Sequence, residues 1–142
     1  MAMNWFREEY AGSDQRRRWC SVETILVIHD DPRSQSTVRV RRILEPAGYD
    51  VIAAASGHKA MNVLRTGKPA LVVLDICMPG SSGQDLCRQI RRESQNVPLL
   101  VLSAITDVAA VVLLLELGAD GYITEPFSPC EFLARVRVAM RY

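Results

Sequence analysis

From residue 22 onward, short apolar runs alternate with longer stretches in which apolar residues recur at helical spacing. Continuous runs of β-branched and aliphatic residues are typical of strands buried on both faces, whereas the wider spacing is typical of helices packed on one side. The pattern predicts strands over residues 25–28, 50–54, 70–74, 99–102 and 121–124. It predicts helices over residues 34–45, 57–65, 84–92 and 107–117, and a last helix that begins after Ser128.

Glycine and proline mark the ends of these elements. Pro46 and Gly48 end the first predicted helix, and Gly118 ends the fourth. At the last helix, Ser128 is followed three residues later by Glu131, a spacing that predicts a capping box. The pattern therefore predicts five strands and five helices in strict alternation.

An alternation of this kind indicates an α/β fold with a doubly wound, five-stranded parallel sheet and helices on both faces. The crossovers between parallel strands are right-handed, and ligands bind at the carboxyl ends of the strands, where the strand order reverses. The residues that directly follow each strand are therefore the candidates for chemistry.

Composition fits one cytoplasmic domain and excludes several classes of protein. The 142 residues are 49% hydrophobic and carry a net charge of +1, so no bulk field favours nucleic acid or membrane surfaces. The longest apolar run, residues 108–115, is far shorter than the ~20 residues of a membrane span. Residues 1–21 are polar and charged, without a signal peptide, and we expect a flexible tail before a domain over residues 22–142.

The four cysteines form neither a C-x-x-C pair nor a zinc-type spacing, which is typical of reduced thiols in a cytosolic protein. They are Cys20, Cys77, Cys87 and Cys130.

Carboxylates follow the first and third predicted strands. Asp30 and Asp31 come just after the first, and Asp75 comes directly after the third. Oxygen ligands converging at one edge of a sheet suit a hard cation such as Mg²⁺. Asp31 either assists the metal or is a turn residue before Pro32. Glycine-rich nucleotide-binding loops are absent from the sequence, which argues against a dinucleotide or P-loop site.

Four segments in this order and at these spacings resemble the receiver domain of two-component response regulators. The segments are ILVIHDDP at residues 25–32, LVVLDICMPGSSG at 71–83, PLLVLSA at 98–104 and LGADGYITEPF at 117–127. The resemblance covers residues 24–140 and implies the flavodoxin-like receiver fold.

The resemblance also implies roles for individual residues. Asp75 matches the aspartate that accepts a phosphoryl group from a sensor histidine kinase or a phosphotransfer protein. Asp30, Asp75 and the backbone carbonyl of Cys77 match the ligands of Mg²⁺. Ser103 matches the hydroxyl that moves toward the phosphoryl group, and Tyr122 matches the switch aromatic. Such a domain is a switch in the cytoplasm and not an enzyme.

Two positions depart from the family pattern. His29 stands where the family usually has an acidic residue, and Glu125 stands where it nearly always has Lys. We expect weak Mg²⁺ binding, because one usual carboxylate is missing. A carboxylate facing a phosphoryl group on Asp75 disfavours the modified state, since like charges repel.

These departures leave two hypotheses open. One is a phosphoacceptor with an atypical site, and the other is a pseudo-receiver that acts through protein contacts without phosphorylation. A direct charge-swapped pair between His29 and Glu125 would favour the second. A small hydrolase with an aspartyl nucleophile is disfavoured, because Cys77 stands where that class has its second acid.

The fourth predicted helix is apolar on every side over residues 108–115. Either it is deeply buried, or its outer face meets another chain. In receiver domains this helix, with the fifth strand and the fifth helix, forms a common dimer surface, which suggests a homodimer. We expect no direct binding of nucleic acid by this domain and no membrane association.

Overall fold

The computed structural model describes residues 22–29, 35–76 and 81–141. The strands are β1 (Thr24–His29), β2 (Asp50–Ala54), β3 (Leu71–Ile76), β4 (Leu99–Ser103) and β5 (Gly121–Thr124). The helices are α1 (Ser36–Leu44), α2 (Gly57–Gly67), α3 (Ser81–Glu93), α4 (Val108–Glu116) and α5 (Pro129–Met140). The predicted tail, residues 1–21, lies outside this range.

The strands form one parallel sheet in the order β2-β1-β3-β4-β5. This is the flavodoxin-like order, and its switch point lies between β1 and β3. The prediction of a doubly wound, five-stranded parallel sheet is confirmed.

Two hydrophobic layers hold the helices against the sheet. One layer contains Leu64 of α2, Ile90 of α3 and Leu114 of α4, and the other contains Leu44 of α1 and Phe132 of α5. Residues 25–28 of β1 contribute alternately to both layers and are completely buried, as their unbroken apolar run predicted.

Most predicted boundaries agree with the structure to within three residues, and one detail is wrong. Ser128 is the N-cap of α5 and Pro129 opens that helix, but the Ser128 side chain makes no capping hydrogen bond. The predicted capping box with Glu131 is therefore not formed, and the Glu131 carboxylate instead lies 3.7 Å from the guanidinium of Arg135.

Helix α4 leaves apolar side chains at the surface. Leu114 is its one buried residue, whereas Val108 is 74% exposed, Val112 44% and Leu115 40%. Of the two interpretations of this helix, deep burial is therefore wrong, and its outer face is available to a partner.

A buried thiol gives a testable pH dependence. Burial raises the pKa of Cys87 to about 11, and the charges of Arg91 and Arg88 lower it by less. The folded state therefore favours the protonated thiol. This contribution to stability is fully present below the ordinary value of 9.0 and is lost as pH rises through about 11.

We accordingly expect iodoacetamide at pH 8 to modify the exposed Cys130 and to leave Cys87 unmodified in the native chain. Peptide mapping by mass spectrometry resolves the two thiols, and unfolding in urea should make both reactive. Equal rates at the two sites in the native chain would contradict the assignment.

Within the described ranges, no helix is both long and apolar enough to cross a membrane.

Candidate functional site

Four strands end side by side at the carboxyl edge of the sheet. His29 at the end of β1 is in register with Asp75 on β3, and Ser103 at the end of β4 is in register with Ile76 and Thr124. Asp75 and Ser103 are both completely buried. The structure thus places the predicted phosphoacceptor, the predicted hydroxyl and one of the two atypical residues at the same edge of the sheet.

The alternation of side chains along each strand divides this edge between the two faces of the sheet. Val73 and Leu102 belong to the layer of α1 and α5, so Asp75, two residues after Val73 and in register with Leu102, lies on that face. His29, in register with Asp75, shares it. Ser103, one residue after Leu102, lies on the opposite face, on the side of α2, α3 and α4.

A short chain of hydrogen bonds links Ser103 to Tyr122. The backbone N–H of Ile105 donates to the Ser103 hydroxyl at 3.1 Å, and the Tyr122 hydroxyl donates to the Ile105 carbonyl at 2.5 Å. One peptide segment thus contacts both predicted switch residues. If the Ser103 hydroxyl moves, either its hydrogen bond to the Ile105 N–H breaks or Ile105 moves with it. The Ile105 carbonyl is also hydrogen-bonded to Tyr122, so such a movement affects the tyrosine. The pattern of apolar residues in the sequence does not indicate Ile105, because both of these hydrogen bonds are made by its backbone atoms.

Glu125 is fixed at both its backbone and its side chain. Its N–H donates to the carbonyl of Ser103 at 2.9 Å, and its peptide bond to Pro126 is cis. Its carboxylate accepts a hydrogen bond of 2.6 Å from the Ser36 hydroxyl at the start of α1. The predicted direct pair with His29 is not found among the ion pairs of the described residues.

Gly83 allows α3 to approach the strand that carries the phosphoacceptor. A Cβ atom at this position would lie 2.7 Å from Cδ1 of Ile76, the residue after Asp75. The glycine lies in the segment that carries the family resemblance, and its packing role is visible only in the structure.

The structure describes only some of the metal ligands that the resemblance implies. Asp75 is described, whereas Asp30, Asp31 and Cys77 lie outside the described residues. Within the described part of the chain, no group of three or more His, Cys, Asp or Glu side chains is placed to hold a metal ion. A buried carboxylate at a strand end is nonetheless the hard oxygen donor that Mg²⁺ requires.

The family is settled by comparison with known proteins. The response regulator receiver domain family matches residues 25–137. The chain is 46% identical over 123 residues to the "Probable transcriptional regulator ycf27" of Porphyridium aerugineum, and the match covers 84% of this chain and 48% of that protein. It is 41% identical over 119 residues to the DNA-binding response regulator MtrA of Mycolicibacterium smegmatis, and this match covers 84% of this chain and 51% of that protein.

Solved structures agree with this assignment. The BeF3-activated N-terminal receiver domain of RstA from Klebsiella pneumoniae is 33% identical, with a TM-score of 0.75, over 84% of this chain and 100% of that chain. The response regulator TrrA of Thermotoga maritima, solved in complex with Mg²⁺ and BeF, is 27% identical, with a TM-score of 0.70, over 83% of this chain and 99% of that chain.

The fold and the residues at the carboxyl edge of the sheet are thus those of a receiver domain. The chain is a member of the response regulator receiver domain family of two-component systems. It spans about half the length of the curated relatives that it matches. Receiver domains generally bind Mg²⁺, are phosphorylated on an aspartate and are not enzymes.

Proposed function

We propose that this domain accepts a phosphoryl group on Asp75 from a histidine kinase or phosphotransfer protein, in the cytoplasm and with Mg²⁺ as cofactor. The observation that carries the proposal is a fully buried aspartate at the end of β3, beside the switch point of a receiver sheet. A carboxylate oxygen of Asp75 attacks phosphorus, the N–P bond of the donor phosphohistidine breaks, and its electron pair returns to the imidazole ring.

The residues around Asp75 have separate tasks in this reaction. Asp30, Asp75 and the Cys77 carbonyl would hold Mg²⁺, which when bound supplies the positive charge that lets two anions meet. The Ser103 hydroxyl would turn toward the new phosphoryl group and donate a hydrogen bond to it. Tyr122 would report that movement to α4 through its bond to Ile105.

One observation favours a second candidate function. Glu125 occupies the position of the family's lysine and is bonded to Ser36, so this position supplies a negative charge to the site and not a cation. A pseudo-receiver that acts through protein contacts alone would tolerate this arrangement. The two candidates differ in whether the Asp75 carboxyl can carry a phosphoryl group.

Binding of beryllofluoride, a phosphoryl analogue, separates the two candidates. In the presence of Mg²⁺, we expect it to shift the backbone amide resonances of Ser103 and Tyr122 in an NMR titration. An Asp75→Asn variant should show no such shifts, because the analogue binds to the carboxylate. Identical spectra of the wild type with and without the analogue, at saturating Mg²⁺, would favour the pseudo-receiver.

We also propose self-association through α4, β5 and α5, because Val108, Val112 and Leu115 form an exposed apolar face on α4. Sedimentation should show dimers at micromolar concentration. Val112→Glu should dissociate them without unfolding the domain, whereas Val38→Glu, at a similarly exposed valine on α1, should not. A wild type that stays monomeric at high concentration would refute this interface.

We further propose that this domain makes no direct contact with nucleic acid or membrane, since the net charge of +1 of the whole chain provides no field toward either.

A further inference from the structure

The hydrogen bond between Ser36 and Glu125, called here the Ser36–Glu125 bridge, joins two parts of the fold that are far apart in the sheet. Ser36 opens α1, the helix after β1, and Glu125 directly follows β5. β3 and β4 lie between β1 and β5, which places the two strands about 14 Å apart. Ser36 and Glu125 therefore meet although the strands before them are not neighbours, and Glu125 lies next to Ser103, whose carbonyl accepts from the Glu125 N–H at 2.9 Å.

The bridge lies on the same face of the sheet as the phosphoacceptor. Ile123 of β5 belongs to the layer of α1 and α5, and the Glu125 carboxylate is on that side as well, because it accepts from Ser36 of α1. Asp75 is on this face as well, in register with Leu102 of the same layer. The carboxylate of Glu125 is thus held at the α1 side of the edge where the Asp75 carboxylate lies.

A second contact fixes α1 to the segment after β5. The guanidinium carbon of Arg39, one turn after Ser36, lies 5.0 Å from the centroid of the Phe127 ring. The Phe127 ring in turn lies 5.2 Å from the ring of Phe132 in α5. The two segments that carry the partners of the bridge are therefore held together by packing as well as by that hydrogen bond.

We propose that the Ser36–Glu125 bridge is an autoinhibitory contact, which holds a negative charge beside Asp75 and opposes the arrival of an anion until the bridge opens. This inference rests on the proposed function of Asp75 as a phosphoacceptor. It assigns to Ser36 a positioning role, since Ser36 acts through Glu125 and not on the phosphoryl group.

The physical reason is the repulsion between like charges. Without the Ser36–Glu125 bridge, the Glu125 side chain would turn away from the buried Asp75 and toward solvent, because like charges repel each other. The charge-assisted hydrogen bond from Ser36 opposes that rotation. A phosphoryl group adds more negative charge at the same edge, so its binding becomes more favourable when the carboxylate is released.

The test is the affinity of the domain for beryllofluoride at saturating Mg²⁺, measured by calorimetry. Ser36→Ala removes the bridge from one side and Glu125→Ala from the other, and each should bind the analogue about tenfold more tightly than the wild type. Adding Ser36→Ala to Glu125→Ala should produce no further change, because the carboxylate that Ser36 positions is gone. Ser128→Ala is the matched control, since this hydroxyl at the start of α5 makes no capping bond.

Each outcome of these measurements either supports or overturns the inference. Equal affinities of the wild type and Ser36→Ala would overturn the inference, and so would a gain of the same size when Ser36→Ala is added to Glu125→Ala. Thermal unfolding curves identify a variant that fails to fold, in which case the other single variant carries the test. If no folded variant binds the analogue, including Glu125→Lys, the proposed function falls as well. If Glu125→Lys binds it and Ser36→Ala matches the wild type, only the inference falls.

Discussion

Replacing Glu125 by lysine is expected to increase the rate at which Asp75 is phosphorylated by about thirtyfold, equivalent to about 2 kcal/mol. The substitution removes a carboxylate that accepts from Ser36 and introduces the cation that the family resemblance places at this position. A cation placed where charge develops in phosphoryl transfer stabilises the transition state directly. The measurement is the initial rate with a small phosphodonor such as phosphoramidate and Mg²⁺.

Glu125→Gln is the control for this prediction. It removes the negative charge and keeps the length of the side chain, including an oxygen that can accept from Ser36. We expect a rate between those of the wild type and Glu125→Lys, because repulsion is relieved and no cation is gained. A lysine variant no faster than the wild type would show that this position does not act on the phosphoryl group.

Arg91→Ala is expected to destabilise the fold by about 3 kcal/mol. The guanidinium donates to the carbonyl of Val97 at 2.6 Å, to the carbonyl of Gly118 at 2.6 and 2.8 Å, and to the carboxylate of Asp120 at 2.9 Å. That carboxylate also accepts from the backbone N–H of Leu99 at 2.8 Å. One side chain thus joins α3, the start of β4 and the turn before β5. Its removal leaves carbonyl groups that are only partly open to water.

Arg88→Ala on the same helix is the matched control. Arg88 lies 2.9 Å from Asp85, but both side chains are exposed, and pairs of this kind contribute about 0.5 kcal/mol or less. Urea denaturation of the two variants gives the comparison. A loss in Arg91→Ala no larger than that in Arg88→Ala would mean that water replaces the guanidinium without cost.

The fold and the position of the phosphoacceptor could be predicted because they depend on local patterns. Unbroken apolar runs define β1 and β3, and the first charged residue after the run at 70–74 is Asp75. The strands then have to be parallel, since each is followed by a helix. The family resemblance supplied the candidate roles of Ser103 and Tyr122, and the structure supplied their link through Ile105.

Other features could not be predicted because they depend on how distant elements meet. Ser36 falls within a predicted helix, and nothing near it in the sequence indicates a bond to a residue 89 positions away. The contacts of Arg91 are largely with backbone carbonyls, which carry no sequence signal. Helix α4 is apolar on every side, so its periodicity does not identify the face that is exposed. In the structure, the burial of Leu114 identifies the inner face of this helix and therefore the exposed one.

Intact-protein mass spectrometry tests most directly whether Asp75 is a phosphoacceptor. After incubation with phosphoramidate and Mg²⁺, we predict that the wild type gains the mass of one phosphoryl group. The modification should be labile to hydroxylamine, as an acyl phosphate is, and Asp75→Asn should gain nothing under the same conditions. An unchanged wild-type mass, or equal modification of Asp75→Asn, would contradict the proposed role of Asp75 as the phosphoacceptor.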